Sequence, residues 1–153
     1  MTVQAFVPYL SVLDAKAAVA FYARVFDVAP MLVLTMPDGR VMYAEFQVGG
    51  ARLFVSEELL EHGGTPSPAS LGGTTVAIHL YSDDCDAMVD RMTEAGAQLL
   101  MAPTDTFWGE RFARVRDPYG HEWGITTRLR EMTADAIQTL AAEMFAQADT
   151  PDS

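Results

Sequence analysis

Apolar and polar positions along the chain follow two periods, and the same succession occurs twice. Ala18, Phe21, Tyr22 and Val25 recur at the spacing that gives a helix one apolar face. Asp14 stands ahead of them, where a carboxylate can accept a free backbone N–H and cap the helix start. Three strand-like runs follow, Met31 to Met36, Val41 to Val48 and Arg52 to Val55, with Pro37-Asp38-Gly39 marking the first turn. The order then returns. Asp84 precedes Met88, Met92 and Ala95, Gly96 is placed to end the helix, and strands are predicted over Gln98 to Ala102, Arg111 to Arg116 and Glu122 to Thr126.

The recurrence has a fixed spacing. Val7-Pro8-Tyr9-Leu10-Ser11-Val12-Leu13-Asp14 and Ala77-Ile78-His79-Leu80-Tyr81-Ser82-Asp83-Asp84 lie 70 residues apart. The same offset, without a gap, takes Gly39 to Gly109, Gly50 to Gly120, Leu53 to Trp123 and Val55 to Ile125. One such match is expected by chance; this many in register point to a duplicated unit. The chain therefore reads as an α+β protein of two tandem βαβββ modules, residues 1–60 and 74–128, forming one structural domain. The stretch 61–73 between them is rich in Gly and Pro and is expected to be an exposed linker. In the extension 129–153, Thr133 is a candidate N-cap for an amphipathic helix with Ile137, Leu140, Ala141, Met144 and Phe145 on one side, a face that needs a covering surface. Asp149 to Ser153 are expected to fray.

Half the residues are apolar and a fifth charged, as in ordinary globular chains, and at 153 residues a core forms without disulfide or metal staples. No apolar run approaches the roughly 20 residues of a membrane span, and Met1-Thr2-Val3-Gln4 lacks secretory features, so no membrane partner and a cytoplasmic location are expected. The single cysteine, Cys85, sits among Asp83, Asp84 and Asp86, whose charge opposes thiolate formation, so it reads as inert. A net charge of −11 disfavours nucleic acid as a partner and favours long-range attraction of cationic small molecules.

Two motifs carry a resemblance to a known family: Asp105-Thr106-Phe107-Trp108-Gly109-Glu110-Arg111, and Asp117-Pro118-Tyr119-Gly120-His121-Glu122-Trp123. Together with Val7-Pro8-Tyr9-Leu10 and Ala20-Phe21-Tyr22, they resemble the vicinal-oxygen-chelate superfamily of glyoxalases, bleomycin-resistance proteins and dioxygenases, in its PhnB-like branch. The resemblance covers residues 5–127 and implies that the paired modules curl into an open, cup-shaped sheet. In the metal-dependent members, the first and last strand of each module supply one ligand each. Those positions fall here on Val7, Phe54, Ala77 and Gly124, and none offers a donor atom for a divalent ion. No metal and no other cofactor is therefore expected.

What remains for chemistry is a set of candidates. His79 and Tyr9 each lie two residues beyond a vacant ligand position and so share its face of the strand. His79, with Tyr43 and Glu45, suits either general-base catalysis or ligand binding, and equally the bland role of a satisfied, half-buried histidine. Phe54 makes the cup more apolar. Trp108 suits stacking on a planar ligand or plain packing, and Arg111, beside Glu110, suits a bidentate grip on an anion or an ordinary surface ion pair. His121 reads as a turn residue. The ligand-binding candidates are thus Tyr9, Tyr43, Phe54, His79, Trp108 and Arg111. Two function classes remain. The favoured one is a metal-free protein that binds or sequesters a small organic molecule. The alternative is a lyase, isomerase or dioxygenase using His79 as base or a relocated metal site. A homodimer is expected, because open sheets leave edges and apolar faces that isologous pairing can cover.

Overall fold

The computed structural model of the protein describes residues 1–148, so the expected fraying of Asp149 to Ser153 lies outside the described residues. The first module runs β1 (Tyr9–Val12), α1 (Ala15–Phe26), β2 (Leu32–Thr35), β3 (Val41–Val48) and β4 (Ala51–Glu57). The second repeats it as β5 (Ala77–Tyr81), α3 (Cys85–Glu94), β6 (Gln98–Asp105), β7 (Glu110–Arg116) and β8 (Glu122–Arg128). Each module forms a four-stranded sheet, in the orders β1-β4-β3-β2 and β5-β8-β7-β6, with the first strand parallel to the last and the others antiparallel. Both sheets are open and each is backed by its helix, which is the α+β architecture expected.

Local chemistry explains the helix boundaries. Asp14 and Asp84 cap α1 and α3 by accepting the N–H groups of Ala17 and Ala87 at 2.9 and 3.0 Å. The apolar faces of both helices then meet alternate residues of the strands. Leu10, Val12, Ala44, Phe46, Leu53 and Val55 of one sheet and Ala113, Val115, Trp123 and Ile125 of the other form one continuous buried cluster with Phe21, Tyr22, Val25, Met88 and Met92.

The modules are joined through a buried carboxylate. Asp117, in the β7–β8 turn, accepts Tyr22 O–H at 2.5 Å, Trp123 indole N–H at 2.9 Å, and the backbone N–H groups of Tyr119 and His121. Tyr22 also packs at 5.8 Å against the Trp123 ring, so α1 of the first module is both bonded to and packed on the second. Burial, then the neighbouring Asp117 charge, pushes the Tyr22 hydroxyl well above its usual range, so it stays a donor. His121, expected as a turn residue, also ties the modules together: its Nε2 lies 2.9 Å from the carbonyl oxygen of Ser11.

Two expectations need correction. The repeat is not ungapped throughout: Ala44 pairs with Val55 and Ala113 with Ile125, so β3 and β7 are related by 69 residues where β4 and β8 are related by 70. The loop between β3 and β4 is Gly49-Gly50, whereas the second module spends Asp117 to His121 on the same corner. Nor is the linker simply exposed. It holds a 3-10 turn (Leu60–His62) and a short helix α2 (Pro68–Leu71), with Ser67 and Pro68 buried. Pro68 sits against the Gly120 turn so closely that a Cβ on Gly120 would lie 2.8 Å from the proline ring, and this contact docks the linker.

The C-terminal helix α4 (Ala134–Ala148) starts as expected, with Ala136 N–H bonded to Thr133 Oγ1 at 3.2 Å, but it buries no residue. Ile137, Leu140 and Ala141 are partly covered, and Met144 and Phe145 are exposed. No helix among the described residues is long and apolar enough to cross a membrane.

Candidate functional site

Because strand side chains alternate, each sheet presents a second face away from its helix. On the second sheet this face carries Ala77, His79 and Tyr81 of β5, Glu122, Gly124, Thr126 and Arg128 of β8, and Phe112, Arg114 and Arg116 of β7, as the cross-strand register requires. His79 stacks on Phe112, with ring centroids 5.8 Å apart and planes 7° from parallel. Gly124 lies beneath the pair. A Cβ there would stand 2.9 Å from Phe112 Cε2 and 3.2 Å from His79 Nδ1, so the missing side chain is what lets the two rings meet. Fully buried Thr126 fixes the imidazole through Oγ1, 2.5 Å from His79 Nε2. Tyr81 leans on His79 at 5.0 Å, and the Arg128 guanidinium lies 5.5 Å above the Tyr81 ring. Trp108, in the turn before β7, approaches Phe112 at 6.4 Å and gives its indole N–H to Glu110 at 2.8 Å, which settles where that donor goes.

The matching face of the first sheet carries Tyr9, Tyr43, Glu45, Arg52 and Phe54. The three rings pack edge to face, Tyr9 to Tyr43 at 5.8 Å, Tyr9 to Phe54 at 6.0 Å and Tyr43 to Phe54 at 5.4 Å. Glu45 uses both oxygens, accepting Tyr43 O–H at 2.7 Å and pairing with Arg52 at 2.8 Å. Loss of hydration at Tyr43, followed by the Glu45 hydrogen bond and charge, pushes the tyrosine hydroxyl up to about 12. It is a hydrogen-bond donor at neutral pH, not a base.

The sequence candidates thus fall into two groups, Tyr9, Tyr43, Glu45 and Phe54 on one sheet and His79 with Trp108 on the other. Arg111 joins neither. It has the parity of Ala113 and Val115, on the helix side, and its guanidinium is held by Asp86 of α3 at 2.5 Å and by Asp105 at 2.8 Å. Each of its three nitrogens has a carboxylate partner without a ligand. Of the four positions where the family places metal ligands, Phe54 is occupied by an aromatic ring and Gly124 is roofed by two, so the donor set does not fit a divalent ion there.

Tyr81, Phe112, Arg114, Arg116, Glu122, Thr126 and Arg128 of the second face were not among the candidates. For those on β7 a signal existed. Along β7 the small apolar Ala113 and Val115 mark the core side by strict alternation, which assigns Phe112, Arg114 and Arg116 to the other face. A separate cleft of about 700 Å³ runs between the modules, lined by Tyr9, Ser11, Thr65, Leu71, Ile78 and His121.

The sequence model of the Glyoxalase/Bleomycin resistance protein/Dioxygenase superfamily matches residues 4–125. The chain is 38% identical over 144 residues to an uncharacterized protein of Mycobacterium tuberculosis, covering 93% of this chain and 83% of that one. Among solved structures it is similar to TioX from Micromonospora sp. ML1, with 29% identity, a TM-score of 0.62, and 83% and 100% of the two chains covered. It shares its fold, at 18% identity and a TM-score of 0.63, with a PhnB protein from Bacillus cereus, over 81% and 99% of the chains.

Proposed function

From the premise that the chain belongs to the glyoxalase/bleomycin resistance protein/dioxygenase superfamily, we propose that it binds a small, planar organic molecule on the open face of its second sheet, without a metal. The observation that carries this reading is the His79–Phe112 ring pair, stacked over Gly124 at a position where the metal-dependent relatives of the resemblance place a ligand. Apolar ring surface with a few oriented polar groups is the ordinary composition of a small-molecule site. His79 offers one such group: Thr126 occupies Nε2, which leaves Nδ1 as the nitrogen able to meet a ligand. Trp108 and Tyr81 extend the ring surface at its edges.

The exposed sheet faces and the exposed apolar side of α4 also support a homodimer. The enzyme alternative keeps one favourable observation, the Thr126 contact that orients His79 as a base would be oriented. Turnover of a bound compound that is lost in His79→Ala would move the reading there.

Tryptophan fluorescence tests the binding proposal, since the two indoles differ in place. Trp108 borders the face, whereas Trp123 is buried against Phe26 at 5.4 Å. A screen of planar aromatic compounds should give saturable quenching, and Phe112→Ala should weaken the affinity by about 1 to 3 kcal/mol, the cost of losing an aromatic anchor. Quenching that is indifferent to Phe112, His79 and Trp108 alike would place the ligand elsewhere.

A further inference from the structure

The chain as a whole carries −11, yet the open face of the second sheet has the opposite balance. Arg114, Arg116 and Arg128 point from it, against two carboxylates, Glu110 and Glu122. Arg114 and Arg116 both pair with Glu122, at 2.5 and 2.8 Å, so two guanidiniums share one carboxylate. Arg128 has no ion-pair partner among the described residues, although Glu110 is its cross-strand neighbour. The Glu110 carboxylate is turned instead towards the Trp108 indole N–H at 2.8 Å and the Tyr81 hydroxyl at 3.4 Å.

The repeat supplies an internal comparison. By strand register Glu45 corresponds to Arg114 and Arg52 to Glu122, so the first face carries the same ion pair with its signs exchanged. There the pair is balanced one to one, and Gln47 stands in the place of Arg116. The surplus of guanidinium therefore belongs to the second face alone. At physiological salt, charges more than about 8 Å away are largely screened. A ligand seated on this face responds to the charges beside it, three guanidiniums against the carboxylates of Glu110 and Glu122, and not to the net charge of the chain.

Resting on the reading of this face as the ligand site, we propose that its ligand is an aromatic carboxylate, with the carboxylate on Arg128 and the ring along Tyr81 and His79. A guanidinium held over an aromatic ring by its central carbon still has N–H donors to offer, in the fork geometry that a carboxylate matches with two parallel bonds. Phe112, His79, Tyr81 and Arg128 follow one another at 5.8, 5.0 and 5.5 Å, a continuous row from ring surface to cation. The charge preference is thus the reverse of the one that net charge alone suggests.

Calorimetric titration with three compounds sharing one ring system tests this: 2-naphthoate, neutral 2-naphthamide and cationic 2-naphthylmethylammonium. The naphthoate should bind at least tenfold more tightly than the amide and weaken selectively as salt is raised. In Arg128→Gln, which alters an exposed side chain and should keep the melting temperature, that preference should vanish while the amide keeps its affinity; Arg128→Lys should recover part of it. Equal binding of all three compounds, preference for the ammonium, or a preference that survives Arg128→Gln would overturn the carboxylate assignment and leave the binding face standing. Failure of all three to bind would overturn both.

Discussion

Asp117 shows how one residue can join two modules. A buried carboxylate without a cationic partner is costly unless its lone pairs are filled, and here two side chains and two backbone N–H groups fill them. Replacing it by Ala leaves the Tyr22 hydroxyl and the Trp123 indole buried without an acceptor. At about 1 to 3 kcal/mol for each orphaned group, Asp117→Ala should cost about 3 kcal/mol or more in denaturant unfolding, and Tyr22→Phe distinctly less. A cost for Asp117→Ala below that of Tyr22→Phe would show that the carboxylate is not the junction. The motif containing Asp117 was legible in the sequence as a family signature. Its task was not, because the partner Tyr22 lies 95 positions away and nothing local announces a contact of that range.

At the scale of elements, the capping aspartates and the period-two strands were readable because their causes are local: a carboxylate beside free N–H groups, and a core on one side of each sheet. The linker was not, since Pro68 is buried by a turn from the other module. Arg111 went astray for a similar reason. Of its two readings, the grip on a ligand anion fails and the ordinary ion pair holds, since strand parity and two aspartates fix it against α3. The apolar stripe of α4 was legible, but its own chain covers it only in part, at Ile137, Leu140 and Ala141, and leaves Met144 and Phe145 exposed. Deletion from Thr133 onward should therefore leave the melting temperature of the globular part within a few degrees of the full chain. If α4 contributes to a homodimer, sedimentation should show the truncated protein at lower mass. A large loss of thermal stability at unchanged mass would mean that the helix serves the fold of its own subunit.

The whole molecule is a duplicated unit whose copies have diverged on their open faces. One face keeps a balanced ion pair among three packed rings, and the other has a histidine, a glycine floor and surplus arginine. The duplication could be read from spacing alone, because glycines and capping residues hold their places. The divergence became visible only when register showed which side chains share a face. Gly124, lying directly under the His79–Phe112 pair, is the reporter best placed to show whether the second face receives a ligand. In amide ¹H–¹⁵N spectra recorded during titration with 2-naphthoate and 2-naphthamide, saturable shifts are expected to concentrate at Gly124, Thr126, Phe112 and Arg128. Shifts confined to the inter-module cleft, at Ser11, Thr65, Ile78 and His121, or the absence of any saturable shift, would mean that the second face is not the ligand site.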